Sequence, residues 1–145
     1  MGKSDANVEL VQRVFAAFNG RDLEALLLLV DSDVEFYPAT RMIANGGRPY
    51  RGHSGMRRYL RDVAEIWKQL ETTPRSFRSE GDHVAAYGRV RGHIAGGTVV
   101  DSPADWILQI RDGKIVWGCV YAKQDEARRA IGEPAAEVEA LMGAG

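Results

Sequence analysis

The chain has a single cysteine, Cys119, in 145 residues. No internal disulfide can form, so packing has to hold the fold, and a reducing compartment is the natural expectation. Net charge is nearly absent too: 19 basic residues against 20 acidic ones leave −1. No broad field therefore draws the protein to nucleic acid or to a membrane surface. Histidine is scarce, and neither His83 nor His93 has a partner at metal-ligand spacing. HExxH, CxxC and clustered acids are all missing, so neither a metal nor any other cofactor is expected. Also missing are a G-x-S-x-G nucleophile elbow and a G-x-G-x-x-G dinucleotide fingerprint. The longest wholly apolar run, residues 25–30, is far short of the roughly 20 residues that span a bilayer. The apolar residues near the N-terminus are periodic rather than continuous, unlike a secretory leader. A soluble, cytoplasmic protein is the expectation.

What remains is an ordinary balance, 45% hydrophobic and 27% charged, in a chain long enough to bury a real core. No repeat, linker or low-complexity stretch divides it, so residues 1–145 read as one domain. Val8, Val11, Phe15 and Phe18, with Val14 beside them, follow the spacing of an amphipathic first helix. It stops at "NGRD", where Gly20 supplies a C-cap and Asp22 an N-cap for the next helix. That helix, "LEALLLLV", is apolar on nearly every side and is expected to be deeply packed. "DVEFY" reads as a strand closed by Pro38, and the loop of residues 40–51 follows. Ser54 suits an N-cap, and Met56, Leu60, Val63, Trp67 and Leu70 form one stripe of a third helix. Strands are expected at "RSFRSE", "HVAAYGRVRGHI", "TVVDSPADWILQI" and "KIVWGCVYA", with hairpin turns at Gly81-Asp82 and Asp112-Gly113. A charged helix, "KQDEARRAI", and a tail over residues 132–145 end the chain. Helices gathered ahead of antiparallel strands imply an α+β fold with the helices on one face of a sheet.

"VQRVFAAFNGRDLEALLLLVDSDVEFYP", "YRGHSGMRRYL", "GDHVAAYGRVRG" and "RDGKIVWGCVYAKQDEA" together resemble the SnoaL-like polyketide cyclase family. That family belongs to the nuclear transport factor two-like superfamily, with the ketosteroid isomerases and limonene epoxide hydrolases. The resemblance covers about residues 7 to 131 and lies in the order and spacing of these segments. It implies a cone, a strongly curved sheet wrapped around three helices with a pocket at the wide end, and a short C-terminal helix. It also implies dimers that pack through the outer face of the sheet. The superfamily hosts isomerases, cyclases, hydrolases, dehydratases and binding modules, so the reaction has to be read from individual residues.

Asp105 lies eight residues before Gly113, where the resemblance puts the acidic oxyanion-binding residue of ketosteroid isomerases. In apolar walls such a carboxyl is pushed up; protonated it donates to an oxyanion, and ionised it serves as a base. Alternatively Asp105 is structural, paired with an arginine. The isomerase partners are absent: Val14 stands in place of the catalytic tyrosine, and Tyr37 precedes Pro38 in place of the general-base acid. In the hydrolase comparison Arg89 is kept, but Arg91 and Val120 replace the two acids, so both established mechanisms are disfavoured. Arg89 either pairs with Asp105 or stabilises an oxyanion of the ligand, and Arg91 either joins it or is exposed. Tyr37, Trp67 and Tyr87 are candidate pocket walls with Ile107 and Val120, and Tyr50 and His53 a candidate rim.

Alternation in the last strand turns Trp117 and Cys119 outward if Val120 faces the cavity, and that apolar face would need a homodimer partner. The sequence therefore points to a small cofactor-independent protein that binds a hydrophobic, oxygen-bearing molecule. Acid–base chemistry beside a carbonyl, with Asp105 and Arg89, is its catalytic form; a non-catalytic ligand-binding or interaction module is the alternative.

Overall fold

The computed structural model describes residues 2–38 and 48–121. The helices are α1 (Lys3–Asn19), α2 (Leu23–Leu29) and α3 (Gly52–Ile66). The strands are β1 (Val30–Tyr37), β2 (Tyr50–Arg51), β3 (Trp67–Glu80), β4 (His83–Ile94), β5 (Val99–Arg111) and β6 (Lys114–Tyr121). All six strands form one curved, unclosed sheet in the order β2-β1-β6-β5-β4-β3. Every pairing is antiparallel except β1 with β6. This is the expected α+β cone. The helix expected over "KQDEARRAI", the tail and residues 39–47 of the loop lie outside the described residues.

α1 buries Leu10, Val11, Phe15 and Phe18, a stripe at helical spacing, against the sheet. Its last turn closes through Gly20 N–H to Ala16 O, yet the left-handed residue is Arg21, at φ 52°. The Arg21 guanidinium donates to Phe18 O and Leu70 O, contacts that help hold this unfavourable conformation. Asp22 then caps α2 as expected, accepting from Ala25 N at 3.1 Å. α2 is less deeply packed than its composition implies: Leu26 is buried, but Leu28 is 74% exposed. Both hairpin turns form where the sequence places them. Gly81 has φ 60°, and Asp112 and Gly113 both adopt positive φ, the geometry that suits a tight hairpin.

α3 departs from its expected bounds. Ser54 is not its N-cap, since the helix starts at Gly52 without a side-chain cap, and it ends at Ile66 rather than running on past Trp67. Trp67 instead opens β3, whose pairing with β4 extends to Glu80 opposite His83. Twelve paired positions along β4 override a weak helical stripe. β3 is the sheet edge, which tolerates Pro74, and the register slips between Pro74 and Ser76. Gly88 lies opposite that slip; a Cβ there would sit 2.0 Å from Thr73 O. Gly92 likewise lets the Trp67 indole approach β4, because its Cβ would fall 2.8 Å from the ring. Two bare backbone positions thus bring β3 close to β4 where the sheet bends.

Alternation along the strands sorts the side chains into two faces. Val84, Ala86, Ala104, Trp106, Leu108, Ile110 and Val120 face the helices and join the main core. Ala85 and Ile107, with Tyr87, Trp117 and Tyr121 against them, make a second cluster on the opposite, outer face. No described helix is long and apolar enough to cross a membrane.

Candidate functional site

Between the helices and the concave face of the sheet lies a cavity of about 80 Å³. One water needs roughly 10–15 Å³ on this measure, so the space is several times larger than a single solvent site. α1 lines it with Val14, Phe15 and Phe18, α3 with Met56 and Tyr59, and the sheet with Phe36, Trp106, Leu108 and Val120. A satellite of about 40 Å³ adjoins it, walled by Trp67, Leu70 and Val90 and sharing Tyr59, Thr72, Trp106 and Val120 with it. The aromatic walls brace one another: Phe15 meets Trp106 edge-on at 4.9 Å, and Tyr59 meets Phe36 edge-on at 4.9 Å.

Among the described residues, no carboxylate, histidine, lysine or arginine lines either space. Two lining side chains carry hydroxyls, Thr72 and Tyr59; the Trp106 and Trp67 indoles and the Cys119 thiol are the other polar groups. Thr72 is clamped by the end of α1: its N–H and its hydroxyl both donate to Asn19 Oδ1 at 3.0 Å, and Asn19 Nδ2 donates to Thr72 O at 2.8 Å. Tyr59 is 8% exposed and makes no hydrogen bond to a described residue. Burial pushes its phenol well up, opposed in part by the Arg21 charge, so it stays protonated. The neighbouring Tyr50 hydroxyl donates to Asp62 at 2.6 Å, and burial together with that bond pushes it up to about 12.

The residues singled out from sequence separate into several places. Val120 lines the cavity and Trp67 the satellite. Asp105 does not face them. It is 2% exposed, but it pairs with Tyr87 and Tyr121 on the outer face, while its neighbours Ala104 and Trp106 point to the core. Successive residues of a strand point to opposite faces, so with Trp106 on the core side Asp105 lies on the other. Ile107 and Tyr87 share the outer face with it.

The expected Arg89–Asp105 pair gives way to Arg89 with Asp101. Arg89 Nε donates to Asp101 Oδ1 at 2.9 Å, and Arg91 Nε lies 3.6 Å from Oδ2. The Arg89 hydrogen bond holds the Asp101 carboxyl below its usual range. Arg91 and Asp101 line an open groove of about 650 Å³ that also holds Arg21, Glu71 and His93. It is larger than the cavity and more open to solvent, with Arg91 beside Asp101 and Arg21 spent on Phe18 O and Leu70 O.

Tyr37 also lies off the cavity, donating to Glu35 at 2.8 Å with its ring 6.2 Å from Trp117. Tyr50 is no rim residue: it is wholly buried, because its ring packs against Tyr59 and carries the Arg58 guanidinium. His53 places Nε2 3.1 Å from Val30 O, pinning the start of α3 to β1 rather than reaching the cavity. The residues that sequence reading passed over, Tyr59 and Phe36, carried detectable signals. Tyr59 sits at i+3 from Met56 on the stripe that continues to Val63, and Phe36 alternates with Tyr37.

Comparison with known proteins agrees with this architecture. The model of the SnoaL-like domain family matches residues 11–117. No functionally curated protein matches the chain. Among solved structures, a nuclear transport factor two-like protein of unknown function from Burkholderia pseudomallei is 22% identical, with a TM-score of 0.74. That match covers 88% of this chain and 98% of the other. TerC, co-crystallised with polyporic acid, is 26% identical with a TM-score of 0.73 over 89% and 99% of the two chains. A candidate SnoaL-like polyketide cyclase from Jannaschia is 19% identical, with a TM-score of 0.71 over 93% and 97%.

Proposed function

This chain belongs to the SnoaL-like domain family, and from that premise we propose that it binds a small apolar organic molecule bearing an oxygen function, in the cavity between helices and sheet. One observation carries the reading: a largely apolar space walled by Phe15, Phe36, Met56, Trp106 and Val120, with the Tyr59 and Thr72 hydroxyls among its few polar groups. The relative co-crystallised with polyporic acid supports a small-molecule role on this scaffold. The walls favour binding over acid–base turnover, because the described residues bring no carboxylate or histidine to them. Isomerisation, cyclisation or dehydration beside a carbonyl, with Asp105 as acid–base and Arg89 as oxyanion stabiliser, is the catalytic form of the proposal. It would need those two outer-face residues to meet the ligand. Turnover and Asp105→Asn separate the forms: turnover by the wild type that is lost in a folded variant fits catalysis, and saturable binding with no turnover by the wild type fits binding.

The binding reading is tested with indane, a small apolar probe, titrated into the wild type and into Val14→Phe, which fills the cavity from α1. Saturable binding to the wild type, weakened at least tenfold in a folded Val14→Phe, supports it. Equal binding to both proteins would sink it. The outer face carries Tyr87, Ile107, Trp117 and Tyr121, with Cys119 opposite Ile107 in the ladder. We propose a homodimer through this face; a monodisperse monomer by light scattering at tens of micromolar would count against it.

A further inference from the structure

Resting on the cavity reading above, we propose that the Tyr59 hydroxyl is the hydrogen-bond donor that anchors the ligand, so the site selects apolar molecules carrying a neutral carbonyl oxygen. The ring has little freedom to go elsewhere. It stacks on Phe18 at 5.7 Å, meets Phe36 edge-on at 4.9 Å and leans on Tyr50 at 5.2 Å. Being more than nine-tenths buried, it lines both the cavity and its satellite. A buried phenol normally finds a partner, and leaving a donor unmade is costly. Tyr50 follows that rule through Asp62; Tyr59 has no hydrogen-bond partner among the described residues.

The chemistry of the ligand follows from which groups are already occupied. Thr72 spends its proton on Asn19, so its oxygen can accept but offers no hydrogen. Tyr59 is then the free hydroxyl donor on the described walls, and like the Trp106 indole N–H beside it, it calls for an acceptor. A carboxylate is a poor fit, since no cation lines the space to offset burial of its charge. The Arg21 guanidinium, the nearest candidate, is engaged with Phe18 O and Leu70 O. A ligand hydroxyl would bring a proton of its own, for which it would have to reach Thr72 Oγ1 as well. A ketone or aldehyde oxygen accepts from Tyr59 and asks for nothing further, while the rest of the molecule meets aromatic and aliphatic walls.

The test compares indane with 1-indanone, two probes of similar shape that differ by one carbonyl, on the wild type and on Tyr59→Phe. The ratio of the indane Kd to the 1-indanone Kd is expected to fall roughly three- to tenfold in the variant, the worth of one hydrogen bond. The apo melting temperature should hold or rise, because no existing bond is removed. In the wild type alone, the carbonyl stretch of bound 1-indanone should lie below its value in hexane. An unchanged ratio, an unshifted stretch, or a loss of apo stability each overturns the proposal; the last would mean the hydroxyl has a structural partner. If neither compound binds the wild type, the cavity reading falls with it. If both bind and only the ratio fails to move, Tyr59 alone is at fault.

Discussion

Replacing Trp106 by alanine joins the cavity to its satellite, because the indole lines both. The residue is 6% exposed and meets Phe15 edge-on at 4.9 Å. Large-to-small changes of this kind cost about 3–5 kcal/mol, the lost transfer energy plus the hole left behind. Part of the indole already borders empty space, so fewer contacts are lost and a value near 3 kcal/mol is expected. A domain of this size has on the order of 5–15 kcal/mol to lose, so the variant should fold with reduced stability. With a urea slope of about 2 kcal/mol per molar, the midpoint of a circular-dichroism titration should fall by about 1.5 M at unchanged slope. The hole is also chemically specific. Free indole at about one hundred times its Kd should return about 2.7 kcal/mol to the variant and far less to the wild type. A cost under about 1 kcal/mol, or no rescue by indole, would refute the packing described for these walls.

Three further outcomes follow from individual contacts in the fold. Tyr50→Phe should cost about 1–2 kcal/mol in urea unfolding, since it breaks a bond to the Asp62 carboxylate. Equal costs for Tyr50→Phe and Tyr59→Phe would contradict the contrast drawn between the two phenols. Gly88→Ala should lose at least about 2 kcal/mol, because its Cβ would fall 2.0 Å from the Thr73 carbonyl oxygen and neither backbone can yield cheaply; a neutral result would mean β3 and β4 are not that close. The Asp101 carboxyl is depressed by Arg89, so its contribution to stability is present above the ordinary aspartate value and is lost as pH falls through the depressed one. Asp101→Asn should therefore flatten the acid limb of a stability–pH curve below about pH 4. The group is exposed, so the effect is small, and an identical limb in both proteins would remove it.

Much of the fold was legible because its signals are local. The stripe from Leu10 to Phe18, the Asp22 cap and the Gly81 and Asp112-Gly113 turns depend on residues within a few positions of one another. The end of α3 was not, because Trp67 and Leu70 continue a helical spacing that only the β4 strand overrules. Asp105 illustrates the sharpest limit. A chain with period two per strand has no tolerance for an error of one, and its carboxylate lies behind the cavity wall formed by Trp106. The catalytic candidates, Asp105 and Arg89, are charged, whereas the cavity recruits neutral side chains, among them the expected Val120 and, in its satellite, Trp67. Tyr59 lay in plain view on the α3 stripe as one more core aromatic, and only its missing hydrogen bond sets it apart from Tyr50.

The central claim, that ligand enters the space between helices and sheet, is tested most directly by Met56. It is the cavity's methionine, and the other three, Met1, Met42 and Met142, lie outside the described residues. In protein carrying 13C-methyl methionine, titration with 1-indanone should move the Met56 methyl resonance saturably, by the ring current of a bound aromatic. Binding that saturates while the Met56 methyl stays still, with shifts confined to the Arg91–Asp101 groove or the Trp117 face, would contradict it.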